Sequence, residues 1–263
     1  MMEWARRHKL ILAVLCFVAF SASLTIASNR VRVGLINLVS TSYAYLSRDV
    51  SEPQFTVARV EGTGPNRIYL FHGMMTDEDQ WSEAGLEPLD EIDMQRVYVR
   101  LVVDDSSYFT DDGARYCDAF RNWMNQTQAK LDAKSPANLT FAAGVSYGGL
   151  HSLLAAAELD FIDGFVALIP SFYVSRIPRY RFQSNDRCKP ENYADYPDGA
   201  IYYITSDFVG SSDIIPQFAR SRGLNARSFD LDTHRFDEKL SRASASYLRD
   251  LAARLETAGE TEQ

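Results

Sequence analysis

The chain has 263 residues, 46% hydrophobic and 24% charged, which suits one large globular domain with room for a substantial core. Its formal net charge of −8 excludes general nucleic-acid binding, because neutralising phosphates takes a clustered excess of Lys and Arg.

Residues 1–27 read as a targeting segment rather than as part of the fold. Arg6, Arg7 and Lys9 form a basic flank, and the 18 residues 10–27 carry no charge. This is the pattern of a secretory signal, with small residues at 21–23 and 25–27 to suit a signal peptidase. An apolar run of that length also just spans a bilayer, so a cleaved signal and a retained membrane anchor both stand. In either case the basic flank stays in the cytoplasm and the rest is exported, to a periplasmic, secreted or membrane-anchored location. Residues 28–53 are a lead-in, loosely helical over 31–48.

From residue 54 the pattern changes. A strand over 55–60 (FTVARV) ends at the turn Gly62-Thr63-Gly64-Pro65, and a second over 67–71 leads into His72-Gly73. A strand over 97–103, a helix over 112–131, a strand over 139–145, a helix over 148–159 and a strand over 165–169 follow. Then come a strand over 200–205, a helix over 214–222 and a strand over 227–231. Phe236, Leu240, Ala243, Tyr247, Leu251 and Leu255 keep helical spacing over the last helix, and 257–263 is a polar tail expected to fray. Strand and helix in alternation imply an α/β domain over 54–256, a mainly parallel sheet with helices on both faces. One connection, 171–199, is too long and aperiodic for a simple crossover and reads as a cap. Arg176, Arg179, Arg181, Arg187 and Lys189 crowd it, among Phe172, Tyr173, Tyr180 and Phe182. Such a set suits an anionic or sugar-bearing substrate, and equally suits a solvated loop face.

Gly144-Val145-Ser146-Tyr147-Gly148 lies between an apolar strand and a helix. A serine on a tight strand-to-helix turn needs near-absent side chains two residues either side, and the helix N-terminus behind it favours negative charge. In this setting residues 55–255 resemble the α/β-hydrolase family, whose members carry nucleophile, acid and histidine in that chain order. Ser146 matches the nucleophile. His8 falls in the targeting segment, His72 in an early loop and His151 on the helix leaving the elbow, so His234, after the last strand, matches the general base. The acid should follow the strand over 200–205, where Asp207 and Asp213 both qualify. Asp213-Ile214-Ile215-Pro216 fits the family's acid ahead of a helix better, and Asp207 stays open. His72-Gly73-Met74-Met75 resembles the family's His-Gly loop, which implies oxyanion donors at the N–H groups of Met74 and Tyr147, with His72 structural.

The resemblance implies a serine hydrolase, foremost an exported esterase cleaving a small-molecule or glycan-linked carboxylic ester through an acyl-enzyme on Ser146. An acyltransferase or peptidase on the same triad, and a catalytically silent binding protein of an envelope pathway, remain alternatives. No cofactor is expected and no metal, because His and Cys nowhere cluster at ligand spacing. Export makes Cys117 and Cys188 the expected disulfide pair, with Cys16 inside the apolar run.

Overall fold

A computed structural model describes residues 54–73, 76–83, 92–102, 113–170, 190–205, 214–230 and 236–261. The chain divides into two compact units, 1–46 and 47–263, and everything described belongs to the second. The expected targeting segment and lead-in therefore lie outside the described residues. Within the described residues no helix is long and apolar enough to cross a membrane.

The elements in chain order are β1 (Gln54–Glu61), β2 (Asn66–Phe71), α1 (Gln80–Glu83), β3 (Met94–Val102), α2 (Gly113–Asp132), β4 (Thr140–Val145) and α3 (Tyr147–Glu158). They continue with β5 (Gly164–Leu168), a 3₁₀ turn (Pro190–Asn192), β6 (Asp198–Ile204), α4 (Ile215–Ser221), β7 (Asn225–Phe229) and α5 (Glu238–Thr261). Seven strands form one sheet in the order β1-β3-β2-β4-β5-β6-β7. Only β1 is antiparallel to its neighbour; each remaining pair is parallel. This is the mainly parallel α/β sheet that the strand–helix alternation predicts.

Successive strand residues point to opposite faces, and the core divides accordingly. Tyr69, Phe71, Val97, Val99, Ala142, Phe165, Ala167 and Ile201 meet α2, α3 and α4 on one face. Ile68, Leu70, Tyr98, Phe141, Val145, Val166, Leu168 and Tyr202 meet α5 and Trp81 of α1 on the other. Strands β2, β4 and β5 are buried along their whole length. That explains why they read as continuous apolar runs rather than as alternating ones. The exception is Arg67, fully buried near the start of β2. Its guanidinium donates to Gln95 Oε1 (2.7 Å), Asp132 Oδ1 (2.7 Å) and the Ser135 carbonyl (2.6 Å), tying β2 to β3 and the end of α2.

Two elements differ from the expectation. The tail does not fray where expected: α5 runs on through Thr261, with the Thr257 hydroxyl donating to the Ala253 carbonyl (2.8 Å). The one-turn helix α1 was not foreseen, being too short to show a period. Of the connection read as a cap, only 190–199 is described, and it lies away from the elbow. Tyr193 Oη donates to Glu158 Oε1 (2.5 Å) at the far end of α3, and the Tyr196 ring packs on Phe165 and Phe218. A parallel crossover has to return to the amino edge of the sheet, and these residues make that return. Residues 171–189 lie outside the described residues. Cys117 is buried on α2, and Cys188, its expected disulfide partner, lies outside the described residues.

Candidate active site

Ser146 occupies the single residue between β4 and α3, with φ 54° and ψ −111°. A non-glycine residue in this region is strained by about 1–3 kcal/mol and persists only where its surroundings enforce it. The enforcement comes from both flanks. Ser146 N–H donates to the Leu168 carbonyl of β5 (2.8 Å), and the Ser146 carbonyl accepts from Gly149 N–H (3.0 Å). The glycines make the turn sterically feasible. A Cβ on Gly144 would sit 1.9 Å from the Gly148 carbonyl oxygen, and one on Gly148 would sit 2.3 Å from that of Phe71 and 2.5 Å from that of His72. The motif therefore records backbone meeting backbone, at the point where α3 starts against the end of β2. A second strained residue lies on the next strand's exit: Ile169 has φ 42°, is buried, and donates its N–H to the Tyr202 carbonyl (2.7 Å).

Tyr147 follows Ser146 and is buried, its ring edge-on to His151 at 4.8 Å between centroids. Its backbone N–H lies at the first residue of α3. His151 lies inside the fold, ringed by Phe55, Phe71, Phe120 and Tyr147. Its Nδ1–H donates to the Tyr147 carbonyl (2.9 Å), and burial pushes its pKa down to about 3. It is a neutral buttress under the elbow, as its position on the exit helix implied.

The loop after β2 is the other segment that the sequence reading assigns to the site. His72 is buried, and Leu101 N–H donates to its Nε2 (3.0 Å). That acceptor role places the ring proton on Nδ1, which donates to the Gly73 carbonyl (2.7 Å). Burial lowers its pKa, so the ring stays neutral. The Thr76 hydroxyl also donates to the Gly73 carbonyl (2.9 Å), and Gly73 N–H donates to Gln80 Oε1 (2.7 Å) on α1. Trp81, next on α1, packs edge-on against Phe236 at the entry to α5.

Of the residues read from the sequence as site members, Ser146 and Tyr147 are placed here side by side. Met74, Asp207, Asp213 and His234 lie outside the described residues. The described ends flanking them are consistent in direction. Strands β2, β4, β6 and β7 are parallel, so the chain leaves Phe71, Val145, Ile204 and Phe229 from one edge of the sheet, the edge that carries Ser146. Thr76 and Gln80 went unnoticed in the sequence. Nothing in their spacing marks them, because their role is to bond backbone atoms of Gly73. Among the described residues no group of His, Cys, Asp or Glu could hold a metal ion.

No family model matches the chain, and no curated protein matches its sequence. Solved structures do resemble it. Est1E from Butyrivibrio proteoclasticus, with ferulic acid bound, superposes with a TM-score of 0.61 at 15% identity, covering 78% of this chain and 98% of that one. The chain has the α/β-hydrolase fold. A monoacylglycerol lipase from Paleococcus ferrophilus shares the hydrolase fold at a TM-score of 0.55 and 13% identity, over 76% of this chain and all of that one. Esterase 2 from Thermogutta terrifontis, phosphoramylated by tabun, aligns at a TM-score of 0.53 and 13% identity, over 77% and 94%.

Proposed function

We propose that this protein is an exported serine hydrolase that cleaves a carboxylic ester through an acyl-enzyme on Ser146. The observation that carries the reading is the Ser146 backbone, held at φ 54° between β4 and α3 by contacts from both neighbouring strands. A fold tolerates such strain where it has a use, and here the use is to lift one hydroxyl clear of the sheet edge at a helix N-terminus. Neighbours named as esterases and lipases support the same chemistry.

In this reading Ser146 Oγ attacks the ester carbonyl while His234 takes its proton. The tetrahedral oxyanion is met by the N–H groups of Tyr147 and Met74. The C–O bond to the leaving group breaks, His234 protonates the departing alcohol, and the acyl group remains on Ser146. Water then repeats the cycle, giving its proton to His234 and releasing the acid. Asp213, with Asp207 the other candidate, holds the imidazole in the productive tautomer. The basic flank and apolar run of 1–27 support export, as cleaved signal or retained anchor. A disulfide between Cys117 and Cys188 belongs to the same reading, since export supplies an oxidising compartment.

The test is a fluorophosphonate probe with peptide mapping, alongside a panel of short-chain, long-chain and sugar esters. Label on Ser146 and ester turnover are expected, both lost in Ser146→Ala. That variant should melt with the wild type, since removing one hydroxyl from an elbow creates no core cavity. Turnover by Ser146→Ala at the wild-type rate would overturn the assignment.

A further inference from the structure

Every polar group of Gly73 is committed. Its N–H donates to Gln80 Oε1, and its carbonyl accepts from both His72 Nδ1–H and the Thr76 hydroxyl. Thr76 Oγ1 also lies 3.0 Å from Gln80 Oε1, so the three side chains form one linked frame around a single residue. Gly73 N–H is therefore unavailable to a substrate, in keeping with the donor role that the sequence reading gives to the next amide. A peptide group is planar and trans, so its carbonyl and its N–H point in opposite directions. Pinning the Gly73 carbonyl therefore sets the direction of the N–H on the other side of the same peptide.

We propose that His72, Thr76 and Gln80 are positioning residues for the oxyanion hole, acting by clamping the Gly73 carbonyl so that the following N–H can meet the oxyanion that forms when Ser146 attacks. The proposal rests on the ester-hydrolase reading and adds residues to it. The clamp is anchored where the fold is stiffest. His72 takes Leu101 N–H, so the ring extends the β2–β3 pairing past the last rung, Phe71 with Val99. Glu78, buried between Thr76 and Gln80, is held by Arg100 of β3 through Nε (2.8 Å) and a second guanidinium nitrogen. The loop is thus tied to β3 at both ends. Without the clamp the peptide is free to rotate, and in the opposite orientation it would present a carbonyl oxygen to the developing anion.

Thr76 is exposed, so its variants test orientation with little risk to folding. Thr76→Val keeps the shape and removes one donor, Gln80→Met removes the acceptor for Gly73 N–H, and Thr76→Ser restores the hydroxyl. Steady-state ester hydrolysis is measured together with the rate of fluorophosphonate labelling. Removal of a whole oxyanion donor costs about 10²–10³ in kcat, so losing part of its aim should cost roughly 3–30-fold in each of the first two variants. KM should stay within about twofold, because the hydrogen bond in question strengthens only as negative charge develops. Thr76→Ser should recover most of the wild-type kcat. Wild-type kcat in both Thr76→Val and Gln80→Met would overturn the clamp while leaving the hydrolase intact, as would a Thr76→Ser enzyme as slow as Thr76→Val. A wild-type protein that neither labels nor turns over any ester would instead overturn the hydrolase reading, and the clamp with it.

Discussion

At the scale of single residues, His151 shows how far a titratable group can be removed from titration. Four aromatic rings surround it and its Nδ1–H is given to the Tyr147 carbonyl, and its burial penalises the protonated form. Its pKa falls to about 3, against about 6.5 for the unfolded chain. Between those values the unfolded chain binds a proton that the native state refuses. Stability from this site is therefore complete above about pH 6.5 and is lost progressively as the pH falls toward 3. At pH 5 the loss should be roughly 2 kcal/mol, at about 1.4 kcal/mol per pH unit. Urea unfolding at pH 7.5 and pH 5.0 measures it: His151→Phe, which cannot titrate, should lose about 2 kcal/mol less than the wild type between the two. Equal losses in the two proteins would show that His151 is not the group responsible. His72 is shifted in the same direction by its own burial and adds to the acid sensitivity of both proteins alike.

At the scale of elements, the decisive contact is α3 against the end of β2. The two backbones approach closely enough that Gly148 has no room for a methyl group. Gly148→Ala should therefore do more than the usual small-to-large change, because the obstructing atoms are main-chain carbonyls of Phe71 and His72 rather than adaptable side chains. A cost of at least about 3 kcal/mol is expected, at the upper end for overpacking. In the proposed mechanism activity should fall as well, since any retreat of His72 also shifts Gly73, which follows it. The measurement is soluble yield, urea midpoint and kcat on one preparation; a variant with wild-type stability and turnover would disprove the close approach. Flanking elements show why boundaries were harder to read than elements. The sequence reading began β6 at Ala200, yet pairing with β5 starts at Asp198, opposite Gly164, a residue of no strand propensity recruited by its ladder. Likewise α3 starts at Tyr147, a residue earlier than the spacing of apolar positions suggests, because the elbow leaves no linker.

At the scale of the whole molecule, the proposed export and the expected disulfide belong together. Cys117 lies on α2 and Cys188 two residues before the 3₁₀ turn, 71 positions on in sequence. A bridge between them would tie the long connection after β5 to the body of the domain, just before Pro190–Asn192 packs down beside α3. Chain entropy sets its stabilisation at roughly 3–5 kcal/mol, less any native-state strain. Reduction should lower the melting temperature, and should raise KM by loosening the Arg- and aromatic-rich segment, which must then be ordered on binding. Thiol counting under denaturing conditions, with peptide mapping, checks the pairing in protein from the exported fraction. Two free thiols at positions 117 and 188 would remove it.

What the sequence by itself determined was everything encoded in short-range pattern. Apolar strands alternating with amphipathic helices dictate a mainly parallel sheet, because strands buried on both faces must be apolar throughout. Gly144-Val145-Ser146-Tyr147-Gly148 between strand and helix marks the tight elbow at Ser146, because only glycine fits where backbone meets backbone. Strand order, the antiparallel β1 at the edge and the return path of 190–199 were decided only by tertiary structure, since they depend on which strand finds which neighbour. The frame around Gly73 belongs there too. Thr76 and Gln80 act through a carbonyl and an N–H that every residue possesses, so no residue type or spacing could announce them, and only the folded loop brings them to those atoms.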